Sequence, residues 1–448
     1  MFWSMKTEER VLWGVVGITL AVSSIMIMAK GPVLGNDSYS YLDMSVFRPA
    51  GYALFLYCLR VFGESQLTAT VVIQTLFNAV VIFYFLKYIQ QRFGVNTKYL
   101  LLLLPLVVYF LIQKIEPENI LTEAIAFPVF IIISIQIIEG ILQNRLKNLL
   151  IASLLNIILV LVRGQFLLIF PFLFIVSLYL LYKRWNWEAV KKVALLGVFL
   201  VLSLLSTSLL NKTYHFIFHD TFADTQLNMS FVMNAMYISE KDDFKLFEDE
   251  QIQTIHREVY DTLFVQAYNK DGYTRKIQLT LNKEEQKRSE LIHHYHQNLL
   301  SIGTTLDSDI IRSKFPGLNS EEYLIQRTEL FKELASEIIY AHPVSYFYVN
   351  LADIFVYGFG NSRMYLLVFV MFYLISFLGS LKRNDLAGIF FLFQTVYLMN
   401  YVLIALSNRV LPRYTFYYEF ILLTVLIISM VKILTSENRI EKEKHKVG

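Results

Sequence analysis

Charged side chains that interrupt long apolar runs are costly to place and are usually there for chemistry. Four such places occur in this chain. The stretch NDSYSYLDMSVFRPAGYALFL (36–56) sets Asp37, Asp43 and Arg48 directly after an uncharged apolar segment. A carboxylate at a lipid–water boundary either becomes a general base through desolvation or keeps its charge by pairing, here with Arg48; capping a short helix is the plainer role for Asp37. IEPENILTEAIAFP holds Glu116, Glu118 and, inside the following helix, Glu123 among apolar neighbours. Burying Glu123 requires an arginine, a cation or a proton, whereas Glu116 and Glu118 suit a solvated helix start. LVRGQFLLIFP puts Arg163 in a tight hairpin, where its guanidinium either forks onto a phosphate or carboxylate or snorkels to the interface. SNRVLPRYTFYYEF carries Arg409 and Arg413 ahead of Tyr414, Tyr417, Tyr418 and Glu419. The arginines suit an anionic ligand, while the tyrosines also suit an interfacial aromatic belt.

The elements that position these groups are membrane helices. With 448 residues, 55% hydrophobic side chains, 17% charged ones and a mean hydropathy of +0.48, the chain is too apolar for a soluble enzyme of this size. A spanning helix needs about 20 apolar residues. The chain offers about ten such segments, at 11–29, 66–86, 98–113, 119–138, 148–162, 165–182, 193–210, 364–381, 386–406 and 414–434. The segment 343–358 is a further interfacial or re-entrant candidate, and PAGYALFLYCLRVFG (49–63) suits a helix lying at the interface. The first apolar run lacks a small-residue cleavage pattern and reads as a retained helix.

Lysine and arginine in the short connections set the orientation. With a cytoplasmic N-terminus, Lys87, Arg92, Lys98, Arg145, Lys147, Lys183, Arg184, Lys191, Lys192, Lys382, Arg383 and the tail RIEKEKHKVG all fall on one side. The four acid- and arginine-bearing places fall on the other. The expected organisation is therefore all-α and polytopic. Residues 1–210 form a seven-helix module with its first external loop at 30–65, and 211–363 an extracytoplasmic, mainly helical domain; 364–435 hold three further helices and 436–448 a basic cytoplasmic tail.

Several chemistries have no support. The net charge of +3 is spread over loops, so no nucleic-acid surface is expected. The single cysteine, Cys58, allows neither an internal disulfide nor a thiolate metal cluster. No Walker loop, GxGxxG, HExxH or GxSxG pattern is present. His215 and His219 lie one helical turn apart beside Asp220, and His293, His294 and His296 cluster, but spacing supplies no third metal ligand and packing or surface roles are favoured.

Together these motifs resemble the GT-C type of integral-membrane glycosyltransferases, the group that includes protein O-mannosyltransferases and lipid A aminoarabinose transferases. The resemblance rests on D-x-x-x-Y from Asp37 to Tyr41, RPAGYALFL from Arg48 to Leu56, LTEAI with Glu123, the Arg163 turn running to Pro171, and the late pair Arg413-Tyr414. It does not cover 211–363, and Ser38, Ala50, Ala53 and Glu419 depart from the family pattern. The resemblance implies a polyprenyl-phosphate-linked sugar as donor, a hydroxyl on a lipid, glycan or protein as acceptor, and inversion at the outer face of a bacterial plasma (inner) membrane. Asp37 is the expected base. Arg163, Arg413 and Arg409 would neutralise the leaving phosphate, and Glu123 would orient Arg163, hold a cation or bind sugar hydroxyls. Asp43, Arg48, Tyr41 and Tyr414 are the remaining expected substrate-side residues. No cofactor is required by the sequence, and a divalent cation stays open. Two other readings compete: a lipid-linked oligosaccharide polymerase or ligase using the histidines of the external region, and a transporter or flippase of an anionic lipid.

Overall fold

The computed structural model describes residues 7–225, 229–266, 309–318, 320–354, 363–407 and 412–447. Among them the regular elements are helices, with one isolated β-bridge between Val33 and Asn119. Among the described residues nine helical segments are long and apolar enough to cross a membrane, and the 17-residue helix Leu146–Val162 is a shorter apolar one. They coincide with the ten apolar runs of the sequence. The protein is an all-α polytopic membrane protein.

The chain divides into two compact units. The first comprises Met1–Asp224, Met371–Tyr397 and Thr415–Gly448; the second comprises Thr225–Val370 and Leu398–Tyr414. The division is not linear, because the last two long helices contribute to both.

In the first unit, α1 (Thr7–Lys30), α2 (Asn36–Leu42), α3 (Ala50–Leu59) and α4 (Gln66–Phe93) are followed by α5 (Thr97–Leu100) and α6 (Leu104–Phe110). The span from 97 to 115 is broken into short pieces. Pro105 sits in the first turn of α6, where its missing N–H costs least, and a π-turn over 111–115 ends at Glu116 with φ 45°, a left-handed stop. Next come α7 (Glu123–Gln143), α8 (Leu146–Val162), α9 (Ile169–Lys183) and α10 (Trp187–His219). Most of α7 is buried, and it packs on α4 and α8; α8 also packs on α3 and α10. α10 instead leaves most of its apolar side chains on the outside, where lipid is their natural solvent.

Polar contacts mark the two ends of this bundle. At one end Glu9 of α1 accepts a hydrogen bond from Gln90 of α4, and Arg92 pairs with Glu139 of α7 at 2.9 Å. At the other, Lys30 at the end of α1 pairs with Glu118, and Val33 bridges Asn119. Those contacts hold the loops after α1 and before α7 against each other.

The second unit holds α11 (Met229–Ile238), α12 (Glu250–Gln266), α13 (Asp309–Arg312), α14 (Ser320–Ala341) and α15 (Pro343–Asp353). Its core joins Ile238, Phe247, Ile255, Phe331, Leu334 and Ile338. The chain closes with α16 (Arg363–Leu381), α17 (Asp385–Ser407) and α18 (Pro412–Val447). The helix expected within LNKEEQKRSELIHHYHQNLL (281–300) lies outside the described residues.

Candidate active site

The first cluster forms where α2 follows α1. Helix α2 begins after Gly35, whose N–H donates to Ser38 Oγ at 2.9 Å. Asp37 therefore stands in the first turn of α2 without serving as its cap. Arg48 Nη2 donates to Asp37 Oδ1 at 2.6 Å, Nε donates to Ser40 Oγ at 2.7 Å, and Nη1 reaches the Tyr41 hydroxyl at 3.4 Å. The guanidinium also lies 4.5 Å from the centre of the Tyr41 ring, a cation–π arrangement. One arginine thus gathers three residues of a seven-residue helix. The ion pair itself is open to solvent, with the Asp37 side chain 37% exposed and that of Arg48 24%.

The second cluster is buried. Arg163 follows α8 and Glu123 opens α7; Arg163 Nη1 and Glu123 Oε1 are 2.7 Å apart, with side chains only 10% and 8% exposed. The same nitrogen donates to Thr122 Oγ1 at 3.2 Å and to the Tyr417 hydroxyl at 3.4 Å, and Nε donates to Gln165 Oε1 at 3.0 Å. Thr122 in turn donates to Glu123 Oε2 at 3.1 Å. Such a pair is tolerated in a low-dielectric setting because the two charges match and neighbouring polar groups bond to both partners.

Tyr41 belongs to the first cluster and feels the charges of the second. It is buried, and its phenol lies within electrostatic reach of Arg48, Arg163, Glu123 and Asp37. Burial is the largest influence and raises its pKa above the ordinary value, against the pull of Arg48, so Tyr41 remains a neutral hydroxyl at physiological pH. Its ring meets Tyr52 edge-on at 5.2 Å. Tyr52 donates to Gln74 Oε1 at 3.3 Å, and Gln74 donates to the carbonyls of Pro117 and Asn119 in the loop before Glu123.

The backbone supports this placement at Gly51. A β-carbon there would come within 2.7 Å of Leu161 C and Val162 N, so α3 lies directly against the last turn of α8. Arg163 follows immediately. Asn211 of α10 adds a hydrogen bond from Ala50 N at 3.2 Å, and the Tyr214 hydroxyl donates to Met44 O at 3.4 Å. The RPAG segment is a packing joint as much as a source of charge.

The other sequence candidates are placed differently. Asp43 is exposed at the C-terminal cap of α2, its backbone N–H bonded to Tyr39 O at 2.8 Å. Arg413 is exposed in the second unit, donating to the Tyr414 hydroxyl at 3.2 Å and lying 5.2 Å from that ring's centre. Arg409, His293, His294 and His296 lie outside the described residues. His215 and His219 have ring centres 5.5 Å apart. No group of three or more His, Cys, Asp or Glu side chains fit to hold a metal ion occurs among the described residues.

Two parts of the site escaped sequence reasoning. Thr122 and Gln165 are polar neighbours of Glu123 and Arg163 in the chain, and adjacency to a buried charge was the available signal. Tyr417 is 254 residues from Arg163, and only its place near the start of the last apolar run hinted at a role. Compared with known proteins, the chain matches no family model, no curated protein and no solved structure.

Proposed function

We propose that the protein is a membrane glycosyltransferase that moves a sugar from a polyprenyl-phosphate donor to a hydroxyl on a lipid, glycan or protein at the outer face of the membrane, with inversion. What carries the reading is a half-open carboxylate, Asp37, steered by Arg48, at the same end of the helical unit as a largely buried arginine, Arg163, oriented by Glu123. Tyr41 is within reach of both.

In the proposed step Asp37 accepts the proton of the acceptor hydroxyl as its oxygen bonds to the anomeric carbon. The bond from that carbon to the phosphate oxygen breaks on the opposite face, and its electron pair leaves with the polyprenyl phosphate. A phosphate is already a good leaving group, so charge stabilisation matters more than a general acid. Arg163 supplies that charge in the first unit, and Glu123, Thr122 and Gln165 hold its guanidinium in one orientation. Orientation of this kind lowers the reorganisation needed at the moment of reaction.

The test is transfer from a labelled polyprenyl-phosphate sugar by the purified full-length protein. Asp37→Asn is expected to retain the donor and lose transfer by about 10²–10⁴-fold, the usual worth of a general base. Undiminished transfer by Asp37→Asn would remove Asp37 as the base. Translocation of the donor with no release of polyprenyl phosphate would replace the enzyme with a transporter.

A further inference from the structure

At the far end of the first unit, away from Asp37 and Arg163, lies a cavity that the proposed reaction does not use. Helix α8 separates the two ends, and at 17 residues it is about 25 Å long. The cavity has a volume of about 150 Å³ and opens where α8 begins, α9 ends and α10 begins. Arg184, Lys192, Asn144 and Asn186 supply its polar wall, with Glu188 as the one carboxylate, while Leu149 and Leu181 line its apolar side. Among the described residues neither Arg184 nor Lys192 is engaged in an ion pair, whereas neighbouring Lys183 is taken up by Asp385.

Three further observations point to a ligand at the lipid boundary. Asn186 caps α10 by accepting a hydrogen bond from Ala189 N at 2.8 Å, so the positive end of a 33-residue helix faces the same wall. Arg145 and Lys147 are exposed close by in the chain and add to the positive potential. Trp185 and Trp187 flank the cap at 79% and 72% exposure, as side chains do when they float at headgroup level. A basic loop that only sets membrane orientation needs charge but no cavity.

We infer that this cavity binds the phosphate of an anionic phospholipid, with Arg184 and Lys192 on the phosphate, Asn144 and Asn186 on the headgroup, and the leucine wall against the start of an acyl chain. The site is independent of the proposed transferase reaction. It gives the helical unit a lipid contact at the end opposite Asp37.

The experiment adds phosphatidylglycerol, phosphatidylcholine or inorganic phosphate to full-length protein stripped of lipid in a neutral detergent, and follows retained lipid by native mass spectrometry. Phosphatidylglycerol is expected to bind the unaltered protein and Lys191→Gln alike, and about thirty-fold more weakly to Arg184→Gln/Lys192→Gln, a loss of the size expected for two basic side chains at a membrane surface. Equal binding to all three proteins, or equal retention of phosphatidylcholine, overturns the site. Displacement of the lipid by millimolar inorganic phosphate reassigns the pocket to a soluble phosphate and overturns the lipid assignment. Photoactivatable phosphatidylglycerol on the unaltered protein gives a readout free of folding effects. Labelling concentrated in 177–193 is expected, and labelling spread evenly over the helices overturns the proposal.

Discussion

The two units each contain a tight knot of polar side chains, and the knots differ in what they can do. In the first unit Asp37 is 37% exposed beside Arg48. In the second, Ser239 Oγ lies 2.7 Å from His256 Nε2 and donates to Asp243 Oδ2 at 3.1 Å, while Asp243 Oδ1 lies 2.9 Å from His342 Nε2. By residue type alone the second knot is the more enzyme-like, a serine, two histidines and an aspartate. Its geometry says otherwise. The carboxylate contacts the serine and the wrong histidine for a nucleophilic relay, and Ser239 and His256 are 1% and 0% exposed. Asp243 also accepts from Glu240 N at 2.7 Å, closing the turn that precedes α12. The second knot is a clasp that joins the start of the unit to the turn between α14 and α15. Reactive residue types make a site only where substrate can arrive.

The largest expected effects would break this contrast outright. Glu123→Ala leaves Arg163 buried and unmatched and should destabilise the first unit by about 3–5 kcal/mol, seen as a lower unfolding temperature in detergent. Asp37→Asn, in contrast, removes a partly solvent-exposed pair and should leave stability within about 1 kcal/mol while the proposed transfer is lost. A large stability loss there would make Asp37 part of the scaffold.

Acidification should distinguish the clasp. His256 is buried, and desolvation lowers its pKa from 6.5 to about 4, against the opposing pull of Asp243. Between those values the unfolded chain holds the proton and the folded chain does not, so stability rises with pH through the window and falls as pH drops from 6.5 towards 4. The loss should reach on the order of 3 kcal/mol, and His256→Gln should flatten that part of the stability–pH curve. Gly51→Ala tests the joint between helices, because the added methyl meets the α8 backbone and no side chain can turn aside to admit it. A cost of ~1–3 kcal/mol is typical of overpacking, and it should be accompanied by reduced transfer because α3 carries the Arg48 turn.

The helices were legible because a spanning segment announces itself locally, residue by residue, as an apolar run of membrane length. Boundaries were less so. α10 extends from Trp187 to His219, well beyond the apolar core at 193–210, because polar residues continue a helix once it leaves hydrocarbon. The charged candidates Asp37, Glu123 and Arg163 were visible for the same local reason, since an acid or arginine beside an apolar run stands out against it. Their partners were another matter. Nothing in the sequence paired Glu123 with Arg163 instead of a cation, or attached Arg48 to Ser40 and Tyr41.

The sequence by itself determined that this is a helical membrane protein with a charged face, because hydropathy and the cost of burying charge are properties of short segments. Tertiary structure decided the rest. It packed α3 onto α8 at Gly51, paired each acid with its own arginine and brought Tyr41 within reach of both pairs. It also drew Ser239, His256, Asp243 and His342 into a closed clasp, with Asp243 and His342 99 residues apart. Such contacts depend on which helix faces meet, and that is settled by the packing of the whole bundle.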